Sequence, residues 1–356
     1  MADNSGLFDP NNVNLDTADP AQVVCYMNAG ANDYNGQLGA RVSSIFVILI
    51  CSMAATFFPV VAKRFPRLKI PVYVYLFARY FGTGVIIATA FIHLLDPAYV
   101  EIGPNTCVGM TGNWAQFSWP PAIVLTSVMI IFILDFGAEL YVESKYGVTK
   151  GDERAVVVQE HDHPIMPTTS KEGLPSAINK QWGDSDTDSI AAERSFRQQI
   201  AAFLILEFGV IFHSVIIGLN LGVAGASFQT LYPVIVFHQS FEGLGIGARM
   251  SAIPFKNHSW LPWALCITYG LTTPIAISIG LGVRYTYNSA SNNANIISGV
   301  FDSISAGILI YTGLVELLAR DFLFDPCRTN DRRRLGFMIT CTLLGAGVMA
   351  LLGKWA

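Results

Sequence analysis

The chain has 356 residues, 52% of them hydrophobic and only 13% charged, with a net charge of -4 and a mean hydropathy of +0.44. Its length alone would accommodate two or three soluble domains, but this composition belongs to a protein built inside a bilayer. No concentrated basic face with interleaved aromatics is present, so nucleic acid is not an expected partner.

Residues 1–40 are polar, rich in Asn and Asp, and contain no Lys or Arg. They lack the basic start and apolar stretch of a cleaved signal peptide, and are expected to form an extracellular segment ahead of the first span. Residues 41–142 hold three apolar spans, near 42–61, 74–95 and 121–142. The second ends in FIHLLD, which places His93 and Asp96 at its far mouth. The third carries Asp135 and Glu139, one helical turn apart, near its end.

Residues 143–198 change character, with many charges, Pro164, Pro167 and Pro175, and the sequence QEHDHP around His161 and His163. Too little apolar material is present to bury a core, so a mobile cytoplasmic loop is expected. Residues 199–356 supply five more spans, near 201–225, 231–250, 261–283, 296–318 and 335–352. Each approaches the roughly 20 residues needed to cross a hydrocarbon core. The fold expected is an all-α membrane protein of eight transmembrane helices.

Orientation follows from the basic residues. The turns after spans one, three, five and seven carry nearly all of them, including Lys63, Arg64 and Arg332 to Arg334. Those turns are expected to be cytoplasmic, with both termini extracellular. Arg41, Arg284 and Lys354 fall on the other side, at span edges. Cys25 and Cys107 share the outer side and can pair, and no metal-type cysteine spacing occurs.

The fourth and fifth spans carry the chemistry. AAFLILEFGVIFHSVIIGLNLGVAG (201–225) buries His213, and LYPVIVFHQSFEGLGIGARM (231–250) holds His238 and Glu242. The latter two are four residues apart and so share one helix face. A short link makes the two helices antiparallel. His213 and Glu242 then lie at one depth, about 20 Å from the link, near the middle of the membrane. An ionisable group there is costly and functional by default. Gly218, Gly222, Gly243, Gly245 and Gly247 permit close helix approach, expected to bring the two helices' ligands within reach of one ion.

HSVIIGLNLG (213–222) and FHQSFEGLGIG (237–247) resemble the paired signatures of the ZIP family of divalent-metal transporters. FIHLLDPA (91–98) and SAGILIYTGLVELLARDF (305–322) are similar to the family's second and seventh spans. The resemblance covers nearly the whole chain from about residue 41 and is nearest to fungal zinc uptake transporters of the plasma membrane. It implies a ZIP-type bundle in which His213, His238 and Glu242 bind the transported ion, with Ser214 and Gln239 beside them. It implies that His93 and Asp96 act at the entrance, and that the bundle works by an elevator-like shift. The family's loop between spans three and four is often a histidine-rich metal sensor, and here it offers His161 and His163. Bacterial relatives carry two further glutamates where this chain has Ile217 and Thr273, so one ion rather than two is expected.

Imidazole and carboxylate suit Zn²⁺ and also Fe²⁺ and other divalent metals. Asp135 and Glu139 are placed to relay the ion at the cytoplasmic exit, while Glu316 and Arg320 read as a pair at the rim. The expected partners are a divalent metal ion as cargo, with no cofactor, the lipid bilayer and, at most, a second copy in a homodimer. An intramembrane zinc hydrolase is the rival reading, but HExxH is absent; a metal-sensing receptor is a third.

Overall fold

A computed structural model describes residues 13–14, 16–28, 34–65, 67, 69–146, 184–255, 259–324 and 329–355. A backbone in hydrocarbon must satisfy its own hydrogen bonds, which favours helices wherever this apolar sequence runs. The described residues are all-helical apart from their connections, with no strand among them. A short helix α1 (Pro20–Asn28) precedes α2 (Leu38–Arg64) and α3 (Val72–Ala88). Helix α3 continues through a π-helical stretch, Thr89–Leu95, into α4 (Asp96–Ile102). Then come α5 (Trp119–Tyr146), α6 (Asp184–Val223), α7 (Phe228–Ala252) and α8 (Leu261–Gly282). Helix α9 (Asn292–Tyr311) runs into a second π-helical stretch, Thr312–Phe324, and α10 (Arg332–Leu352) follows.

Among the described residues, seven helices are long and apolar enough to cross a membrane. The remaining expected span, α7, has 25 residues, a length of about 37 Å. It carries His238, Gln239, Glu242 and Arg249, and those polar groups dilute its hydropathy. Its polar face is buried by neighbouring helices, which is how a polar helix is tolerated in such a bundle.

The helices sort into two sets by their packing. Helices α2, α6, α7 and α8 pack on one another, and α3, α5, α9 and α10 form the second set. The sets meet mainly where α3 packs on α7 and α9 on α6. Helix α5 is the most peripheral, turning Leu125, Ile130, Ile133 and Leu134 outward. Exposed apolar side chains of that kind match lipid.

The glycines of α6 and α7 do allow close approach, but not to each other. Gly218 and Gly222 face the α8 backbone, Gly243 and Gly247 face α2, and Gly245 faces α3. A β-carbon on Gly247 would lie 2.1 Å from the Thr56 carbonyl oxygen. The ligand-bearing helices are thus positioned by third parties rather than by direct contact along their lengths.

The helices extend further into 143–198 than expected. Helix α5 reaches Tyr146 and α6 begins at Asp184. The sequence after Gly183 has no proline or glycine until Gly209 and is rich in Ala, Glu, Arg and Gln, all good helix formers. The rest of the expected loop, with His161 and His163, lies outside the described residues. Cys25 and Cys107 form a disulfide with Cα atoms 4.6 Å apart, tying α1 to the connection after α4.

The first π-helical stretch has a local cause. Pro97 has no N–H to return to the His93 carbonyl, so the α-helical ladder fails there. Asp96 N–H instead bonds Phe91 O, five residues back. Such π turns recur at functional sites, and this one carries Thr89 and His93.

Candidate metal centre

His213 on α6 and His238 and Glu242 on α7 converge inside the first helix set. Their exposures are 1%, 2% and 0%, and their ligand atoms all lie within 4.8 Å of one another. His213 Nε2 is 3.3 Å from His238 Nε2, and His238 Nε2 is 3.3 Å from Glu242 Oε1. With metal–ligand distances near 2.0–2.1 Å, a tetrahedral zinc shell has ligand–ligand edges of about 3.3–3.4 Å. Two edges of the cluster therefore already have the size of a zinc shell.

The second helix set reaches into the same place. Thr89 Oγ1 donates a 2.9 Å hydrogen bond to Glu242 Oε1. The His93 ring meets that of His238 edge-on, with centroids 4.8 Å apart. His93 Nε2 lies 3.0 Å from the Met349 carbonyl, which can only accept, so Nε2 carries the proton and Nδ1 keeps its lone pair. Glu242 Oε2 and His213 Nδ1 have no hydrogen-bond partner. A carboxylate buried this way is costly unless a cation faces it, and the chemistry on offer is that of a divalent-ion site.

Ser214 and Gln239 adjoin the cluster but are engaged with each other. Gln239 Nε2 is 3.4 Å from Ser214 Oγ and also bonds Thr273 Oγ1. Its Oε1 accepts a 2.9 Å bond from the Tyr269 hydroxyl. Either residue would have to exchange one of these bonds for a metal.

The remaining sequence-derived residues are spread along the bundle. His93 is 5% exposed, and its ring lies against that of His238 in the candidate centre. Asp96 is exposed. Asp135 accepts a 2.9 Å bond from Tyr311. With Glu139, Arg197, Glu316 and Arg320 it lines a cavity of about 330 Å³. Glu316 and Arg320 form an ion pair.

Four contributors escaped the sequence reading. Thr89 precedes His93 by one turn and so shares its face, a usable signal. Tyr269 precedes Thr273 by one turn in the same way. Arg41, expected only at a span edge, is fully buried. Its guanidinium bonds the Leu221 and Gly222 carbonyls at 3.2 and 3.1 Å, and also the Ala224 carbonyl. It thereby caps the end of α6, a cation placed where the helix dipole favours one. Asp321 bridges Arg79 at 2.7 Å and Arg249 at 3.0 Å, and no local spacing announces that triad.

Residues 38–353 match the family model described as ZIP Zinc transporter. The chain is 55% identical to Zinc-regulated transporter 1 of Saccharomyces cerevisiae, over 98% of this chain and 97% of that one. It is 39% identical to Zinc-regulated transporter 1 of Schizosaccharomyces pombe, over 97% and 92% of the two chains. Zinc transporter 9 of Oryza sativa subsp. japonica is 32% identical, over 94% of each. No solved structure matches the chain. These relatives bear the names of transporters rather than enzymes, and the hydrolase reading falls with them. By the family model across nearly its whole length and by these identities, the chain is a multi-pass membrane protein belonging to the ZIP zinc transporter family.

Proposed function

We propose that this chain carries Zn²⁺ across the plasma membrane into the cytoplasm, binding it at His213, His238 and Glu242. The observation that carries the reading is where the three ligands converge. They belong to one helix set, while Thr89 and His93 of the other set touch them. A shift of the first set past the second would carry the ion with its ligands, and would break the Thr89–Glu242 bond on the way.

The orientation proposed has eight crossings, α7 included, with both termini outside, as the basic turns require. His93 and Asp96 then lie on the outer approach, and Asp135 and Glu139 line the cytoplasmic exit. Two imidazoles and one carboxylate supply a single negative charge. A second divalent ion beside the first would be strongly repelled in so dry a place, and Ile217 and Thr273 bring no charge to offset it. One ion at this centre follows. The same ligands admit Fe²⁺ and Mn²⁺, but the names of the relatives favour zinc.

The test is flux. Purified chain in sealed vesicles holding a zinc-sensitive dye should admit zinc down its gradient. Vesicles that bind zinc but admit none would favour the receptor reading and overturn this one.

A further inference from the structure

A second polar cluster is buried in the same helix set, further from the α6–α7 link. Glu207 stands seven residues before Ser214 on α6, and Cys266 seven before Thr273 on α8. Seven residues bring a helix back to within about 20° of the same face and about 10 Å along its axis. Ser214 and Thr273 both meet Gln239 Nε2, and Glu207 and Cys266 lie two turns from them on the same faces of α6 and α8. In the proposed orientation that displacement points toward the cytoplasm.

Glu207 is 3% exposed, and neither carboxylate oxygen has a hydrogen-bond partner. It lies close enough to Cys266 to interact with it electrostatically. Cys266 is fully buried, and its Sγ has two long polar contacts, Met250 Sδ at 3.8 Å and the Thr56 carbonyl oxygen at 3.9 Å. Around these groups the packing is apolar, with Leu206, Val210 and Tyr269 in the same core cluster. A carboxylate with two unpartnered oxygens has no structural use in such a core, and burial opposes it. A cation would change the balance. The Thr56 carbonyl of α2 and the Met250 thioether of α7 meet at the Cys266 thiol of α8, and with the nearby Glu207 carboxylate of α6 they offer a softer ligand set than the histidine centre.

We propose that Glu207 and Cys266, assisted by Met250 and the Thr56 carbonyl, form a second cation station for a thiophilic divalent ion. Its place in transit rests on the proposed transport path; its existence as a binding site does not. Cys266 binds as the thiolate, so each ion taken up there releases the thiol proton to solution. The histidine centre takes the first ion, and this station receives ions moving on from it.

The test uses cadmium alone, added to the purified full chain and followed by ultraviolet thiolate-to-cadmium charge-transfer absorption. A band is expected that Cys266→Ser and Cys266→Ala both remove. In Glu207→Gln it should need at least about tenfold more cadmium, the loss typical when a metal site is stripped of a supporting carboxylate. The band should persist in His213→Ala, which lacks the first centre. Retention of one bound zinc by the Cys266 variants would show that they fold. No band in the unmodified chain, or a band that survives both Cys266 substitutions, overturns the station. Failure of the transport reading would appear instead as absent zinc flux, which this absorption does not measure.

Discussion

Thr89 and Glu242 join the two helix sets at the candidate metal centre, through a 2.9 Å hydrogen bond from hydroxyl to carboxylate. Thr89 belongs to the set that supplies none of the three ligands, so the bond exists only while the sets are in this register. Hydrogen bonds to charged groups contribute about 1.5–3 kcal/mol. Thr89→Val should therefore depopulate this register and change the rate of zinc uptake several-fold, with one zinc still held at the histidine centre. Thr89→Ser, which keeps the hydroxyl, should restore the rate. Equal rates for the valine and serine variants in vesicle flux would remove Thr89 from the account.

Gly82 and Gly245 meet backbone to backbone at the same junction. A β-carbon on Gly245 would lie 2.7 Å from Gly82 Cα, and one on Gly82 would lie 2.1 Å from Gly245 Cα. No flexible side chain is there to yield. Gly245→Ala should lower the unfolding midpoint of the purified protein, by an overpacking term of about 1–3 kcal/mol. An unchanged midpoint would mean that α3 and α7 separate freely.

Arg41 ties α2 to the end of α6 through carbonyls that have no partner within their own helix. Arg41→Lys keeps the charge but cannot reproduce a planar fork reaching several carbonyls. Both Arg41→Lys and Arg41→Ala should destabilise the protein, alanine more, by about 2–4 kcal/mol through loss of charged hydrogen bonds and stranded carbonyls. Thermal unfolding checks this; a lysine variant as stable as the parent would reduce Arg41 to a surface charge.

Much of this architecture is legible in the sequence because a bilayer imposes a simple rule: roughly 20 apolar residues make a helix. The convergence of the three candidate ligands is legible too. His238 and Glu242 share a face by spacing alone, and His213 was matched to them in depth by counting from a short link. What stayed hidden depended on tertiary contacts. The contact of the His93 ring with that of His238 is one such case, since the spacing of FIHLLD does not announce it. The glycines of α6 and α7 proved to serve contacts with α2, α3 and α8, because spacing identifies a small-residue face but not the helix that fills it. Gln239 and Ser214 read as spare ligands in sequence, yet Gln239 is held by Tyr269 and Thr273 from α8.

The triad of Asp321 with Arg79 and Arg249 spans both sets at the end of the bundle opposite the α6–α7 link. Asp321 is 5% exposed, and breaking a buried pair by removing one partner costs about 3–5 kcal/mol. Asp321→Ala should therefore destabilise the protein more than Asp331→Ala, whose ion pair with Arg334 is exposed and worth at most about 1 kcal/mol. Comparing the unfolding midpoints of the two variants decides it. Equal losses would contradict a role for Asp321 in joining the sets.

The most direct test of the central claim is zinc K-edge absorption on the purified chain at one equivalent of zinc, combined with a binding titration. The account expects one tightly held ion, coordinated by nitrogen and oxygen at about 2.0–2.2 Å, with two imidazoles in the shell. Both His213→Ala and Glu242→Ala should abolish that spectrum. Two tightly held ions within the His213–His238–Glu242 cluster, a sulfur-dominated shell at one equivalent, or an unaltered spectrum in either variant would contradict it.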